Sequence, residues 1–190
     1  MVCKADRPFH TVSIDLVGPL PKTLAGNVYI LSMVDIFGRW AITVPIPSKD
    51  CKIVAQAIWK ELICKMGLPV RIYSDRGGEF IGPAVKLMCA RWGIKKIETT
   101  GWQPQANPVE RIHRWLNAGM TTLHSALGSE WDQYVEALTF THNICENTST
   151  GLSPFQLVYG RQPRLLDDLM LGFPDDDEDD TARMPAEYQD

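Results

Sequence analysis

The sequence predicts an α/β protein in which one mixed β-sheet is covered by helices. Three β-rich segments come first, and helical and strand-like segments alternate from about residue 48 onward. Three strands in succession are typical of an antiparallel meander, whereas strands separated by helices commonly return in parallel. A length of 190 residues and a hydrophobic content of 45% suit one globular domain.

The first three strands are predicted at residues 12–18, 28–36 and 40–46. Each is rich in β-branched and apolar residues, and the first ends at a Gly-Pro break. Because side chains alternate between the two faces of a strand, the first strand divides into two sets. Val12, Ile14 and Leu16 share one face, and Ser13, Asp15 and Val17 share the other.

Helices and short strands follow the meander. A helix is predicted from about Ser48 to Gly67, with Lys49 and Asp50 in its first turn. Its apolar stripe consists of Ile53, Ala57, Ile58, Leu62 and Cys64. The next elements are a strand at 70–75, a helix at 81–92 and a strand at 94–100.

A long helix is predicted from Pro108 to Leu127. Asn107 suits the N-cap, and Glu110 falls three residues after it, which is close to a capping box. The apolar stripe of this helix is Ile112, Leu116, Met120, Leu123 and Leu127. A further helix is predicted at 130–145, and the segment 150–164 is predicted to be a loop with one short helical turn.

Charge is distributed unevenly along the chain. The net charge is −4, but eight of the 23 acidic residues and only one of the 19 basic residues lie after Pro174. The remainder of the chain therefore carries about three positive charges in excess, which is compatible with nucleic-acid binding. We expect residues 166–190 to form an acidic, disordered tail. A DNA-mimicking or partner-binding role for this tail is the alternative.

The cysteines indicate an intracellular protein. The five cysteines are an odd number without a Cys-x-x-Cys spacing, so we expect reduced and mostly buried thiols. No cysteine–histidine set has the spacing of zinc ligands. No apolar run approaches the roughly 20 residues that span a membrane.

Three carboxylates are candidates for a site, and each has a structural alternative. Asp15 interrupts an apolar strand, where it could be a ligand or could form a salt bridge at the sheet edge. Asp75 ends a strand, where ligands collect in α/β proteins, but Asp-x-Gly-Gly is also ordinary turn chemistry. Glu110 is either a helix cap or a catalyst. Together the three would suit two divalent cations, and oxygen ligands favour Mg²⁺ or Mn²⁺ over zinc.

Four segments carry a resemblance to a known family. They are RPFHTVSIDLVGPLP (7–21), RIYSDRGGEF (71–80), QPQANPVERIHR (103–114) and TGLSPFQLVYGRQPR (150–164). Together they resemble the catalytic core of retroviral and long-terminal-repeat retrotransposon integrases, most of all the Ty3/Gypsy type. The resemblance implies a ribonuclease-H-like fold with a five-stranded mixed sheet flanked by helices. It also implies that Asp15, Asp75 and Glu110 are the catalytic and metal-binding residues.

The resemblance implies a chemistry as well. Two Mg²⁺ (or Mn²⁺) ions per active site would support DNA 3′-end processing and strand transfer, a polynucleotidyl transfer with element-end DNA and target DNA as partners. It further implies a homodimer or larger assembly, acting in the nucleus or in a virus-like particle. On this basis we expect residues 1–6 to be a residual linker and residues 7–165 to be the catalytic core. The chain would then be an excised core or a reduced descendant, without the zinc-binding and basic domains of its relatives.

Weaker signals in the sequence indicate residues that would contact DNA. The candidates are Trp102, Gln103, Gln105, Lys95, Lys96, Arg114 and Asn117. The first three lie in the loop before the long helix, and Arg114 and Asn117 share a helical face with Glu110, opposite the apolar stripe. Phosphate contacts by such groups need no sequence readout. The alternatives are a solvent-exposed loop, an exposed strand end and a solvated helix face.

The chain departs from the family pattern before Glu110. Thirty-four residues separate Asp75 and Glu110, one fewer than in most relatives, and a proline stands near their usual glycine. This departure keeps a second hypothesis open, a domesticated integrase with an impaired site that binds DNA or protein. A ribonuclease-H-like nuclease acting on RNA–DNA hybrids and a cut-and-paste transposase match the motifs less well.

Overall fold

The computed structural model describes residues 5–98, 108–127, 130–148 and 150–165, without the side chains of residues 108, 110 and 122–127. Its strands are β1 (Thr11–Val17), β2 (Tyr29–Asp35), β3 (Ala41–Ile46), β4 (Arg71–Ser74) and β5 (Lys95–Glu98). They form one five-stranded sheet in the order β3-β2-β1-β4-β5. The predicted mixed sheet is therefore confirmed, and its strands begin and end within one or two residues of the predicted positions wherever the chain is described.

The strand β1 lies in the middle of the sheet and sets its mixed character. It runs antiparallel to β2, with Val12 opposite Asp35 and Val17 opposite Ile30. On its other side it runs parallel to β4, where the paired positions end at Ser13 and Tyr73. The strands β2 and β3 are antiparallel, and β4 and β5 are parallel. The meander and the helix-separated strands thus meet at β1.

Helices cover both faces of the sheet. They are α1 (Cys51–Ala57), a π-helical segment (Ile58–Ile63), α2 (Cys64–Met66), α3 (Gly78–Ile81), α4 (Pro83–Arg91), α5 (Pro108–Leu127), a 3₁₀ turn (Trp131–Gln133), α6 (Val135–Ile144) and α7 (Pro154–Tyr159). The bounds of α5 are those predicted from the sequence. No described helix is both long enough and apolar enough to cross a bilayer.

Each face of the sheet has its own hydrophobic core. On the α1–α4 face, Val12 and Ile14 of β1 pack in one cluster with Ile58, Leu62 and Phe80. On the α5–α6 face, Ile30 and Val34 of β2 pack in a second cluster, together with Val109, Ile112, Leu116, Trp131 and Val135. The predicted alternation along β1 is confirmed, because Leu16 packs against the first cluster and Val17 against the second. Asp15 consequently lies on the α5–α6 face.

The first helix differs from its prediction in two respects. It begins at Cys51, not at Ser48, because Asp50 is the N-cap and its carboxylate accepts a hydrogen bond of 2.7 Å from the Lys52 amide. Cys64 is exposed although it was placed in the apolar stripe, and Ile63 is buried instead. The π-helical segment explains this change, because its i→i+5 hydrogen bonds rotate the following residues relative to an α-helix.

The expectation that most cysteines are buried is wrong. Among the described residues Cys89 is buried, Cys51 is half-buried, and Cys64 and Cys145 are exposed. The π-helical segment turns Cys64 outward, and Cys145 lies outside the core because it follows the last residue of α6.

Candidate active site

Asp15 lies on β1 where the α5–α6 face meets solvent. Its side chain is 30% exposed, and its Oδ1 accepts a hydrogen bond of 2.8 Å from the Leu16 amide. Its Oδ2 lies 3.9 Å from Nδ1 of His113 on α5. The carboxylate is therefore held between the central strand and the long helix, and it stays accessible to a ligand.

Asp75 follows β4 directly and begins a tight turn. Its Oδ1 accepts a hydrogen bond of 2.9 Å from the Gly77 amide. A Cβ atom at Gly77 would lie 3.0 Å from the same Oδ1 and 2.9 Å from the Glu79 carboxylate. A larger residue at position 77 would displace these side chains, whereas Gly78 has no such neighbour. The turn geometry proposed as the alternative role of Asp75 is present, and it leaves this side chain exposed.

The sheet register brings Asp15 and Asp75 to the same level. The parallel pairing of β1 and β4 ends at Ser13 opposite Tyr73, and the two aspartates lie two residues further along each chain. Neighbouring strands are about 4.8 Å apart, and residues two positions apart point to the same face. The two aspartates, sixty residues apart in sequence, thus each lie two residues beyond the last pair of the neighbouring strands β1 and β4.

A half-buried lysine supports the turn that carries Asp75. The Lys96 amine donates a hydrogen bond to the Ser74 hydroxyl, which donates one of 2.6 Å to the Asp75 carbonyl. Burial lowers the pKa of Lys96, and the carboxylates of Glu98 and Asp75 oppose that effect. Lys96, which the sequence suggested as a DNA contact, is half-buried here and faces Ser74. Its contact to the strand end is one that the sequence pattern did not predict.

The helix α5 crosses the same region and carries Glu110 in its first turn. The side chain of Glu110 lies outside the described part, so neither the capping role nor the catalytic role is tested. Its backbone position is three residues before His113, and residues at this spacing are neighbours on one side of a helix. Because His113 contacts Asp15, this part of α5 lies beside Asp15.

His113 is the site residue that the sequence reasoning missed. Its side chain is 17% exposed, and burial lowers its pKa to about 4 in spite of the nearby Asp15. The imidazole is therefore neutral near pH 7 and adds no positive charge beside Asp15. Its spacing of three residues from Glu110 is the signal that could have identified it.

The remaining predicted DNA contacts divide into exposed and undescribed residues. Arg114 and Asn117 are exposed on α5, and Lys95 is exposed at the start of β5. Trp102, Gln103 and Gln105 lie outside the described residues. Within the described part, no three His, Cys, Asp or Glu side chains are grouped to hold a metal ion. Of the three predicted ligands, the structure thus describes the side chains of Asp15 and Asp75 but not that of Glu110.

Comparison with known proteins decides the family. Residues 5–101 match the family model described as integrase core domain. The chain belongs to the integrase core domain family. It is 30% identical over 161 residues to the retrovirus-related Pol polyprotein from transposon 412 of Drosophila melanogaster, with 84% of this chain and 13% of the polyprotein covered. It is 26% identical over 163 residues to the Gypsy retrotransposon integrase-like protein 1 of Bos taurus, with 84% and 32% covered. The chain therefore spans a third or less of each of these relatives.

Solved structures confirm the fold of this integrase core. The catalytic core domain of HTLV-2 integrase, in complex with magnesium, superposes with a TM-score of 0.68 at 17% identity, covering 82% of this chain and 100% of that one. The integrase of a simian T-cell lymphotropic virus intasome superposes with a TM-score of 0.73 at 18% identity, covering 87% and 59%. The predicted ribonuclease-H-like fold is thereby confirmed.

Proposed function

We propose that this chain is the catalytic core of an integrase that cleaves and joins DNA, with Asp15, Asp75 and Glu110 as its acidic triad. The proposal is supported by the parallel pairing of β1 and β4, whose last pair lies two residues before Asp15 and Asp75, and by the contact of Asp15 with His113 on α5. Family membership supplies the reaction class, DNA 3′-end processing and strand transfer. Element-end DNA and target DNA are the proposed substrates.

The donor set fits a divalent cation. The two described carboxylates offer hard oxygen ligands, which suit Mg²⁺ or Mn²⁺. The neighbouring imidazole of His113 is neutral near pH 7, because burial lowers its pKa to about 4, so it brings no positive charge to compete with a cation beside Asp15. We propose that Asp15, Asp75 and Glu110 hold two such ions, which when bound would supply activation of a nucleophilic oxygen and stabilisation of the leaving 3′-oxygen. The core of HTLV-2 integrase in complex with magnesium supports this assignment.

The remaining residues have positioning roles in this proposal. The Ser74–Lys96 contact holds the strand end that carries Asp75, and the Leu16 amide fixes one oxygen of Asp15. Arg114, Asn117 and Lys95 are exposed where a DNA backbone would approach, and Trp102, Gln103 and Gln105 would contact DNA from the preceding loop. We further propose residues 7–165 as the core unit, residues 1–6 as a linker, and residues 166–190 as an acidic tail.

The assembly and the place of action are also proposals. The simian virus intasome supports assembly on DNA as more than one copy, as a homodimer or a larger complex. The retrotransposon relatives support action inside the cell, in the nucleus or in a virus-like particle.

A strand-cleavage and joining assay tests the proposed function. The full chain is incubated with an end-labelled DNA duplex and Mg²⁺, and products shorter and longer than the substrate are separated on a denaturing gel. We expect products with the wild type that disappear on addition of a chelator and in Asp75→Asn. Glu98→Gln is the matched control, because Glu98 is a nearby carboxylate whose described ion pair is with Arg76, 3.7 Å away. Equal product with Asp75→Asn and with the wild type would contradict the proposal.

A further inference from the structure

The segment 150–164 carries part of the family resemblance, yet the proposed active site does not use it. Residues Pro154–Tyr159 of this segment form α7, which Ser153 and Gln156 start with a capping box and Gly160 ends in a left-handed conformation. The helix packs against the β2–β3 turn through aromatic rings. The ring of Trp40 lies 6.1 Å from Phe155 and 5.5 Å from Tyr159.

Arginines surround this aromatic cluster. The guanidinium carbon of Arg161 lies 5.5 Å from the centre of the Phe155 ring. Arg39 precedes Trp40 in the turn and has a left-handed backbone with φ of 63°. Arg111 on α5 reaches the loop before α7, where its Nη1 lies 3.5 Å from Oδ1 of Asn147. We call the six residues Arg39, Trp40, Arg111, Phe155, Tyr159 and Arg161 the basic–aromatic surface.

The described acids around this surface compensate its positive charge only in part, through the interaction of Asp35 with Arg39. Among the described residues, none of the three arginines takes part in an ion pair. Asp35 is fully buried, and its carboxylate accepts hydrogen bonds from the amides of Phe9 and Gly38 at 3.0 and 2.6 Å. Glu146 is the exposed acid of the connection between α6 and α7. His142, whose Nε2 lies 3.2 Å from the Arg39 carbonyl, has a pKa lowered mainly by burial and adds no charge near pH 7.

The chemistry of the surface selects an anionic partner. Burial and the charge of Arg111 both lower the pKa of Arg39, while Asp35 opposes them, so like charges interact in a partly dehydrated region. An anion with several phosphate groups would relieve this repulsion, and guanidinium groups bind phosphate oxygens in a bidentate manner. Exposed arginines spread over α5 and the end of α7 suit an extended phosphate backbone better than one small anion.

The surface lies close to the carboxylates. Val12 pairs with Asp35 at the β2–β3 turn, and Asp15 is three residues further along β1, a distance of about 10 Å along the strand. Arg111 directly follows Glu110 on α5. A duplex whose backbone reaches the carboxylates could therefore continue across α7.

We propose that the basic–aromatic surface binds the phosphodiester backbone of duplex DNA and extends the DNA path from the carboxylate site across α7. This inference rests on the proposed function for the identity of the substrate, but it requires no metal ion and no chemistry. Contacts of this kind fix the position of DNA and are independent of its sequence.

The test measures duplex binding in the presence of a chelator. Fluorescence anisotropy of two labelled duplexes of unrelated sequence is recorded with the full chain over a range of salt concentrations. The variant Arg39→Asn/Arg161→Ala keeps a residue that tolerates the left-handed backbone at position 39. Each lost phosphate contact reduces the magnitude of the slope of log K against log salt by about 0.9. The double variant should lose two contacts, so the magnitude of its slope should fall by about 2 for both duplexes. Its thermal unfolding identifies any variant that fails to fold.

Two controls make the result specific. Arg91→Ala removes an exposed arginine on α4, on the other face of the sheet, and should leave the slope unchanged. Arg161→Lys keeps the charge and should keep the slope. A double variant with the slope of the wild type would overturn the proposal. Binding of a labelled polyaspartate peptide is measured in the same way, and a double variant that loses binding to this peptide but not to DNA would also overturn the proposal. Either failure leaves the proposed function standing, because that function is judged by cleavage and joining with Mg²⁺.

Discussion

The two faces of the sheet are built from different kinds of side chain. On the α1–α4 face, the centre of the described core is aliphatic and aromatic, with Ile14, Leu62 and Phe80 almost fully buried, and the buried polar side chains Asp35 and Ser74 lie at the ends of β2 and β4. On the α5–α6 face, buried hydroxyl and amide groups interrupt the apolar core, namely Ser13, Ser32, Thr43, Thr139 and Asn143. Asp15 and His113 lie on this second face.

This difference gives the two faces different roles, one in stability and the other in positioning the candidate site. The α1–α4 face buries apolar surface, which stabilises without directional demands. The α5–α6 face depends on hydrogen bonds between strands and helices, such as that between the hydroxyls of Thr43 and Thr139. Directional contacts fix the position of α5 and α6 relative to the sheet, and a carboxylate site shared by strand and helix needs that precision.

A substitution in the apolar core of the α1–α4 face should have the largest effect on the free energy of unfolding. Leu62→Ala leaves a cavity at a fully buried position, and we expect a loss of about 2–5 kcal/mol in the free energy of unfolding. Urea denaturation measures it. Leu87→Ala on α4 is the matched control, because Leu87 is 71% exposed and should change stability by no more than about 0.5 kcal/mol. Equal costs for the two variants would contradict this account of the face.

Breaking a polar contact of the α5–α6 face should cost somewhat less. The Asn143 side chain binds both the amide and the carbonyl of Ala41 at the sheet edge, at 2.8 and 2.9 Å. Asn143→Ala leaves both groups without these partners, and at roughly 1–2 kcal/mol for each group, the lower part of the range for unsatisfied buried groups, we expect a loss of about 2–4 kcal/mol. Thr141→Ala on the exposed side of α6 is the control in the same urea series. A cost below 0.5 kcal/mol, on the scale of ordinary surface changes, would show that Asn143 does not hold the edge strand.

The α5–α6 face should also be the acid-sensitive one. Burial lowers the pKa of His142 below its ordinary value, although a hydrogen bond to the Arg39 carbonyl opposes this, and burial lowers that of His113 to about 4. The unfolded chain therefore binds protons more readily as the pH falls below about 6.5. The stability that these neutral imidazoles contribute is complete above that pH and is lost on acidification toward the folded pKa.

We expect His142→Gln to reduce this dependence. Urea denaturation at pH 7.5 and pH 5 should show a smaller loss of stability for the variant than for the wild type. His10→Gln is the comparison, because His10 lies before β1, outside the α5–α6 face. If both variants lose as much stability as the wild type, the buried imidazole of His142 is not a cause of acid sensitivity.

Much of the fold could be predicted because its signals are local. The proline and the apolar stripe predicted the described extent of α5. Alternation of side chains along β1 predicted that Asp15 lies on the opposite face of the sheet from Ile14. The π-helical segment at Ile58–Ile63 could not be predicted, since the same apolar spacing suits an α-helix. The exposure of Cys64, which follows from this segment, could therefore not be predicted either.

The site was harder to predict because it depends on long-range pairing. Nothing in the local pattern states that β4 pairs with β1, and that pairing is what aligns Asp75 with Asp15. The contact of His113 with Asp15 and that of Lys96 with Ser74 likewise join segments that are distant in sequence. The resemblance named the three acids, while the structure shows that the strands leading to two of them, β1 and β4, are neighbours in the sheet.

Calorimetric titration of the full chain with Mn²⁺ tests the central claim most directly. The series compares the wild type with Asp15→Asn, Asp75→Asn and Glu110→Gln, and uses Glu136→Gln, an exposed carboxylate on α6, as the control. We predict that the wild type and the control bind Mn²⁺ and that each of the other three substitutions weakens binding. If Glu110→Gln binds Mn²⁺ like the wild type and changes only thermal stability, Glu110 is a helix cap and the proposed triad is wrong.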